Sequence, residues 1–330
     1  MSGDAGFRRY FRFIANNIHY IAVDSPVKYC NNHAFLAVGI GLNSQQINTP
    51  DVLFVDIGEG FFCLQDFGDQ LLADSLSSDT MESLYRRAIE ILPKVAATSQ
   101  TMTMSTANLK SSDKPDSLSD YSLPDYSLPK YDRAFITTEL GIFTQWLLDE
   151  YLNLSLSETE SRELGRCFEL LTNNALEQPQ VTMHRDFHSR NLMILSNNEL
   201  GVIDFQDAVV GPITYDIVSL LRDCYVRWPD DQVESLFEHF ISLISPQLTE
   251  TDITMHTWKR WFDLMGVQRH VKACGIFARL LLRDNKPHYI KDIPLTLSYI
   301  KDVCSDYKEL EFLSAFVSDK VIPAVEARMA

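Results

Sequence analysis

The stretch His184-Arg185-Asp186-Phe187-His188-Ser189-Arg190-Asn191, with the acidic turn Asp204-Phe205-Gln206-Asp207 behind it, constrains this chain more than any other. Between them lie an apolar run, Leu192-Met193-Ile194-Leu195, a polar turn at Asn197-Asn198 and a second apolar run ending in Asp204. Two short strands joined by such a turn form a hairpin, and the hairpin returns Asp204 to the loop that carries Asp186 and Asn191. Three oxygen-bearing side chains are then gathered at one place. Hard oxygen ligands suit magnesium, which keeps part of its water shell and takes the remainder from carboxylates and phosphate. The plain structural alternative is a buried polar turn in which Asp186 and Asp204 cap loops. A zinc site on His184 and His188 lacks a nearby Cys or His to complete the set. His184 reads as a brace for the loop backbone, and His188 as a residue lining the site.

An Asp, an Asn five positions later, a hairpin and a second Asp follow one another in the order of a kinase catalytic loop. In that order Asp186 accepts the proton of a substrate hydroxyl, while Asn191 and Asp204 hold the magnesium that bridges nucleotide phosphates. Asp66-Phe67-Gly68 spells the magnesium tripeptide of protein kinases, yet it precedes the loop that the metal-binding Asp must follow. It reads instead as the hinge between two lobes. Asp207 is near enough to Asp204 to serve the metal or the substrate, and could equally bind a loop backbone.

With Ile203-Asp204-Phe205-Gln206-Asp207, Gly211-Pro212 and Tyr215-Asp216-Ile217-Val218 added, the pattern resembles the aminoglycoside phosphotransferase and choline kinase-like family. Three further segments, Phe7 to Arg12, Leu64 to Gln70 and Gly266 to Lys272, are similar to the anomeric sugar kinases of bacterial cell-wall recycling. The resemblance implies a protein-kinase-like α+β fold, with a small sheet-bearing lobe over 1–64, a hinge over 65–70 and a mostly helical lobe over 71–330. It implies ATP and Mg2+ as cofactors and phosphorylation of the C1 hydroxyl of N-acetylmuramate or N-acetylglucosamine, with Asp186 as base. Asp66 and Phe67 would meet the nucleotide. Glu139, His188, Arg190, Asp207, Arg269 and His270 would face the sugar. An amino-alcohol, choline or aminoglycoside kinase on the same fold is the nearest alternative, and a catalytically silent nucleotide-binding scaffold is another.

Two features depart from the protein-kinase pattern. No Gly-x-Gly-x-x-Gly opens the chain, and Ile21-Ala22-Val23-Asp24 carries Asp where the phosphate-pairing Lys would stand. Arg8, Arg9 or Arg12 could supply the charge, because a guanidinium grips phosphate oxygens bidentately. Solvated strand faces would hold the same arginines.

A net charge of −16 argues against a nucleic-acid partner, which usually meets a basic face. Six scattered Cys give neither a disulfide framework nor a zinc knuckle. The opening residues lack the apolar core of a signal peptide, and no apolar run reaches the roughly 18 residues of a membrane span. The expectation is a cytoplasmic enzyme with no membrane partner.

Periodicity predicts a hairpin from Arg9 to Val23 around Asn16-Asn17, a helix over 31–41, paired strands over 52–64 and a helix over 81–97 capped by Asp79 or Thr80. Residues 98–130, rich in Ser, Thr, Asp and Pro and carrying the echo Asp120-Tyr-Ser-Leu-Pro, Asp125-Tyr-Ser-Leu-Pro, read as a flexible surface insertion. Helices are expected over 133–151, 157–174 with a Ser157/Glu160 capping box, from Ile217 with Asp216 as cap, and over 232–244, 252–265, 267–283 and 293–318. Arg269, Lys272, Arg279 and Arg283 fall on one face of the penultimate helix. That row meets either a substrate carboxylate or acidic side chains of a neighbouring helix; internal pairing is the reading adopted, except for Arg269 and His270.

Overall fold

The structure, a computed structural model, describes residues 7–103, 124–249 and 252–329. A small antiparallel sheet near the start and a mostly helical remainder give the fold class expected from the sequence. The chain forms two compact units, one of residues 1–129, 181–210 and 238–244, the other of 130–180, 211–237 and 245–330. The boundary expected at 65–70 falls inside the first.

In the first unit β1 (Arg9–Ala15), β2 (Ile18–Asp24), β3 (Val52–Asp56) and β4 (Phe61–Gln65) form a sheet in the order β1-β2-β4-β3. The expected hairpin turns on Asn16 and Asn17, with φ of 51° and 61°. Positive φ at both central residues suits the right-handed twist of the strands, and Asn tolerates it better than most side chains. Helix α1 (Asn32–Ser44) starts where the Asn31 side chain accepts the Ala34 N–H at 3.0 Å. Ile21, Val23, Val55, Phe62 and Leu64 are buried on the inner face of the sheet, where Phe35 of α1 meets Phe62 edge-on at 5.2 Å between ring centroids. The outer face carries Phe11, Phe13, Ile18, Phe54 and Phe61, all exposed.

The helix expected over 81–97 is two, α2 (Met81–Ile89) and α3 (Leu92–Ala97). Pro93 separates them, because it has no N–H for the helical ladder and its ring clashes with the carbonyl four residues back. Thr80 stands at the N-cap without a capping bond; its hydroxyl donates to the Ser75 carbonyl at 2.7 Å. The expected insertion begins and ends in order: β5 (Thr101–Met102) pairs with β6 (Tyr126–Ser127), and Met102 and Leu128 are buried. Residues 104–123, with most of the first Asp-Tyr-Ser-Leu-Pro copy, lie outside the described residues.

In the second unit α4 (Arg133–Ile142) passes into a π-helical stretch, Phe143–Tyr151. Helix α5 (Glu158–Glu177) has the expected capping box, with Ser157 accepting from the Glu160 N–H and Glu160 from that of Ser157. The central loop and its hairpin belong to the first unit: β7 (Gln180–Met183) precedes the loop, β10 (Val209–Pro212) follows it, and β8 (Leu192–Ile194) and β9 (Leu200–Val202) lie between. Helix α6 (Tyr215–Leu221) begins two residues earlier than expected. Thr214 takes the N-cap position with its hydroxyl bonded to Gln178 Oε1 at 2.7 Å, and Asp216 is a buried residue of the first turn, not the cap.

After α7 (Asp230–Ile244) comes α8 (Met255–Leu282), one unbroken helix where two were expected. The helix runs through Gly266 with the Arg222 guanidinium lying over it, 3.3 Å from where a Cβ would stand. It is buried around most of its circumference, so that polar residues such as Gln268, Arg269 and His270 are interior alongside Val267, Val271, Cys274 and Ala278. At Gly275 it crosses the backbone of Ile142 and Phe143, where an added Cβ would lie 2.6 Å from main-chain atoms. The last expected helix divides into α9 (Ile293–Ser305), α10 (Glu311–Phe316), a π-helical stretch at Val317–Val321 and α11 (Ile322–Met329). The chain leaves α9 at Tyr307, whose hydroxyl donates to Asp263 Oδ2 at 2.7 Å. No helix among the described residues is long and apolar enough to cross a membrane.

Candidate active site

Asp186, Asn191 and Asp204 all belong to the first unit, and short-range bonds hold them together. The Asp186 carbonyl accepts the His188 N–H at 3.0 Å and the Asn191 side-chain amide at 3.0 Å, which closes the loop on itself. Asn191 opens directly into β8, and the antiparallel register Leu192↔Val202, Met193↔Gly201, Ile194↔Leu200 brings the chain back. The turn is the expected Asn197-Asn198, with Asn198 at φ 63°. Ile203 N–H then bonds to the Asn191 carbonyl at 3.1 Å, so Asp204 arrives beside Asn191, with Oδ2 3.5 Å from its amide nitrogen.

His184 is the brace. Its Nδ1 accepts the Asp186 N–H at 3.3 Å, which leaves the proton on Nε2 to be donated to the Ile203 carbonyl at 3.0 Å. One buried ring thus links the residue that carries Asp186 to the one before Asp204. Two residues here have left-handed backbone, Arg185 at φ 79° and Asp204 at φ 61°. For non-glycine residues that costs about 1–3 kcal/mol each, and it persists only where the surroundings over-determine it. Phe205 supplies part of that constraint, stacking on Phe35 of α1 at 5.2 Å and meeting the bare face of Gly39.

The oxygens fit a hard divalent cation. Asn191 spends its amide hydrogen on the Asp186 carbonyl, which leaves Oδ1 as a donor to metal, and Asp204 is exposed with one oxygen bonded to the Gln206 amide at 2.9 Å. No group of three or more His, Cys, Asp or Glu forms a metal cage among the described residues. Magnesium does not need one, since water and phosphate complete its shell. His188 and Arg190 are half-buried around the 3-10 turn Ser189–Asn191. Asp207 is exposed, and its charge adds to the burial that raises the pKa of Tyr126.

The three N-terminal arginines have separate fates. Arg8 Nε donates to Ser25 Oγ at 2.9 Å, Nη2 donates to the Asn31 carbonyl at 3.3 Å, and the guanidinium lies over Phe35 at 5.2 Å. Arg9 turns to the opposite face of β1 and pairs with Asp24, exposed. Arg12 reaches Asp66 and Asp69. Tyr10, which the sequence did not single out, shares the inner face with Arg8; burial foremost, and the negative charge of Asp204 as well, push its pKa up to about 12.

Asp66 and Phe67 also lie in the first unit. The Phe67 ring rests on Gly201 of β9, where a Cβ would come within 2.6 Å of it. Just beyond, Leu72 N–H bonds to the Leu192 carbonyl at 2.8 Å and Ile194 N–H to the Gln70 carbonyl at 2.9 Å, so the segment after β4 is stitched to the hairpin that carries Asp204.

Glu139, Arg269 and His270 belong to the second unit and are interior. Glu139 accepts from the Tyr131 hydroxyl at 2.5 Å and pairs with Lys272 at 2.9 Å. Gln268 and Tyr215 extend this network, through Tyr131 at 2.7 Å and Lys272 at 3.0 Å. Lys272 is therefore paired internally, as read from the basic row. Arg269 donates to Cys224 Sγ at 3.6 Å. His270 stacks on Tyr299 at 4.6 Å and donates from Nε2 to the Arg222 carbonyl, and its burial depresses the pKa to about 3.

The fold and this loop, hairpin and Asp arrangement define a kinase-like phosphotransferase. Similarity to known proteins agrees: the Phosphotransferase enzyme family pattern matches residues 1–248, and the chain belongs to that family. An N-acetylmuramate/N-acetylglucosamine kinase of Pseudomonas putida is 34% identical over 318 residues, covering 96% of this chain and 86% of that protein. One of Neisseria meningitidis serogroup B is 32% identical, covering 97% and 89%. Among solved structures, the choline kinase LicA from Streptococcus pneumoniae superposes with a TM-score of 0.58 at 11% identity, over 89% of each chain, and shows the shared fold.

Proposed function

We propose that this protein is an ATP-dependent kinase that phosphorylates the anomeric C1 hydroxyl of N-acetylmuramate, N-acetylglucosamine or both, in the cytoplasm. The observation that carries the proposal is the convergence of Asp186, Asn191 and Asp204 on one loop and hairpin, in a chain whose relatives of similar length bear that name.

Asp186 orients the C1 hydroxyl and takes its proton as the oxygen bonds to the terminal phosphorus of ATP, whose bond to the bridging oxygen breaks to release ADP. A hemiacetal hydroxyl is more acidic than an ordinary alcohol, so an ordinary carboxylate is base enough. Asn191 and Asp204 would hold Mg2+, which would supply charge to offset the phosphate oxygens that repel both nucleophile and carboxylates. Arg8, which has no carboxylate partner among the described residues and lies on the inner face with Tyr10, supplies the positive charge that the absent lysine would give. Arg9, paired with Asp24 on the outer face, is left out of this role. Asp66 and Phe67 present the nucleotide-binding backbone. On the sugar side, His188, Arg190 and Asp207 of the first unit serve the substrate beside the base; within the second unit, Glu139, Arg269 and His270 are interior residues and candidates for sugar recognition.

The test is turnover by Asp186→Asn with N-acetylmuramate and N-acetylglucosamine, following appearance of an acid-labile sugar 1-phosphate. Removal of a general base costs about 10²- to 10⁴-fold in kcat, with ATP affinity retained. Near-normal turnover in the variant, or no acid-labile product from the unmodified protein with either sugar, removes the assignment.

A further inference from the structure

Arg12 sits in the middle of β1, opposite Ile21 of β2, and its guanidinium reaches past β2 to the segment that follows β4. Nε donates to Asp66 Oδ2 at 2.5 Å, Nη2 to Asp66 Oδ1 at 2.9 Å and to the Gly68 carbonyl at 3.0 Å, and Nη1 to Asp69 Oδ2 at 2.7 Å. Asp66 Oδ1 also accepts the Gly68 N–H at 2.8 Å, fixing a turn in which Gly68 has φ 85°. The Asp66 side chain is 5% exposed.

Two features of this contact decide its meaning. First, β1 is an edge strand whose main chain pairs, among the described residues, with β2 alone. The guanidinium is therefore a second tie, which fastens the hairpin to residues 66–69 directly. Secondly, a guanidinium has five N–H donors, and this one makes four bonds to protein acceptors. The cluster of one arginine and two aspartates carries a formal charge of −1, which repels a phosphate. Arg8 differs on both counts.

We propose that Arg12 is a positioning residue for nucleotide binding, a clasp that holds the β1–β2 hairpin at a fixed height over residues 66–69 and takes no part in gripping phosphate. The clasp does the work that a glycine-rich loop does by folding down onto the nucleotide. Here the hairpin turn is Asn16-Asn17, without glycine, and the rigidity comes from the side-chain tie. The inference rests on the nucleotide reading given above.

The experiment measures the affinity of the whole protein for ATP and for adenosine, which lacks phosphate, by titration calorimetry and ligand-observed NMR. The variants are Arg12→Ala, Arg12→Lys, Asp69→Asn, the double variant Arg12→Ala/Asp69→Asn, and Arg8→Ala as contrast. For a clasp, Arg12→Ala weakens ATP and adenosine by the same factor, about tenfold for the loss of charge-assisted bonds. Arg12→Lys behaves nearly as badly, because an ammonium cannot fork between two carboxylates. Asp69→Asn weakens both ligands in the same direction, and the double variant is no worse than Arg12→Ala, the mark of coupled partners. In turnover the KM for ATP rises while kcat changes little. Arg8→Ala weakens ATP and spares adenosine.

An Arg12→Ala protein that loses ATP but keeps adenosine would make Arg12 a phosphate ligand and overturn the clasp, as would tighter ATP binding in Asp69→Asn. Asp69 is exposed, so its variant folds and keeps the question open to measurement if Arg12→Ala does not. Unmodified protein that binds neither ligand would remove the nucleotide reading and the clasp with it, a pattern distinct from either of the others.

Discussion

The pair Glu139 and Lys272 shows what a single residue means only in context. Their side chains are 4% and 9% exposed, and each has a second partner, Tyr131 and Tyr215. Taking two charges out of water costs several kcal/mol per ion, repaid only where geometry and further bonds are good. Breaking such a pair from one side leaves an uncompensated charge. Lys272→Met is therefore expected to destabilise by about 3–5 kcal/mol, and Lys272→Met/Glu139→Leu by much less, measured as urea unfolding free energies. A loss below about 1 kcal/mol in the single variant would mean that Glu139 reaches water. In the sequence Glu139 is a lone Glu on a helix; Gln268, which joins the same network, is 137 positions from Tyr131, too far for any local pattern to show. The residues proposed for catalysis are the opposite case. Asp204 is 13 positions from Asn191, and His184 is 19 from Ile203. The bonds that bring them together lie within one loop and one hairpin, so the spacing carried the arrangement, while the stacking of Phe205 on Phe35 of α1 adds a constraint that no local spacing shows.

Among the elements, α8 holds the second unit together; both its halves were expected as helices, but its continuity through Gly266 was not visible beforehand. Amphipathic periodicity locates helices with one wet face; α8 is buried nearly all round, so Gly266 looked like a break when it is a place of close approach. Gly275 is a stricter case. Alanine is better than glycine in a helix interior by about 1 kcal/mol, but its Cβ here would lie 2.6 Å from the Ile142 carbonyl and the Phe143 nitrogen, which are main-chain atoms and cannot rotate away. Overpacking wins, at about 1–3 kcal/mol or more. Gly275→Ala should lower the melting temperature by several degrees, while Gly165→Ala on α5, with nothing within 4 Å of the new methyl, should raise it slightly. Equal shifts of the two melting curves would show that the crossing gives way. The split between α2 and α3 is simpler, because Pro93 was in plain view and its effect follows from its ring.

For the molecule as a whole, burial makes stability depend on acid. His270 has a folded pKa of about 3, lowered chiefly by burial, against about 6.5 in the unfolded chain. Above the unfolded value both states are neutral there and the group has no effect. Below it the unfolded chain takes up a proton that the folded one refuses, so stability is lost as pH falls from about 6.5 towards 3, at about 1.4 kcal/mol per pH unit for this one site. His270→Gln should flatten the acid limb by about one proton when unfolding is followed by urea titration from pH 6.5 to 4. An unchanged slope would show that the ring is protonated in the native protein. Glu160, held at about 2 by Lys320 and the cap of α5, acts in the same direction at lower pH.

What the amino-acid sequence determined unaided is whatever depends on neighbours along the chain: the Asp186 loop, the β8–β9 hairpin, the Asn16-Asn17 turn and the α5 capping box. Turn and cap energetics act over three to five residues, and the hairpin extends them only to the next strand. Tertiary structure decided the rest, namely which of Arg8, Arg9 and Arg12 pairs with Asp24, which binds Asp66, and which acid neutralises Lys272. Those choices depend on strand alternation and on the crossing of distant elements, where the cost of an unpaired buried charge selects one partner among many that the sequence leaves equivalent.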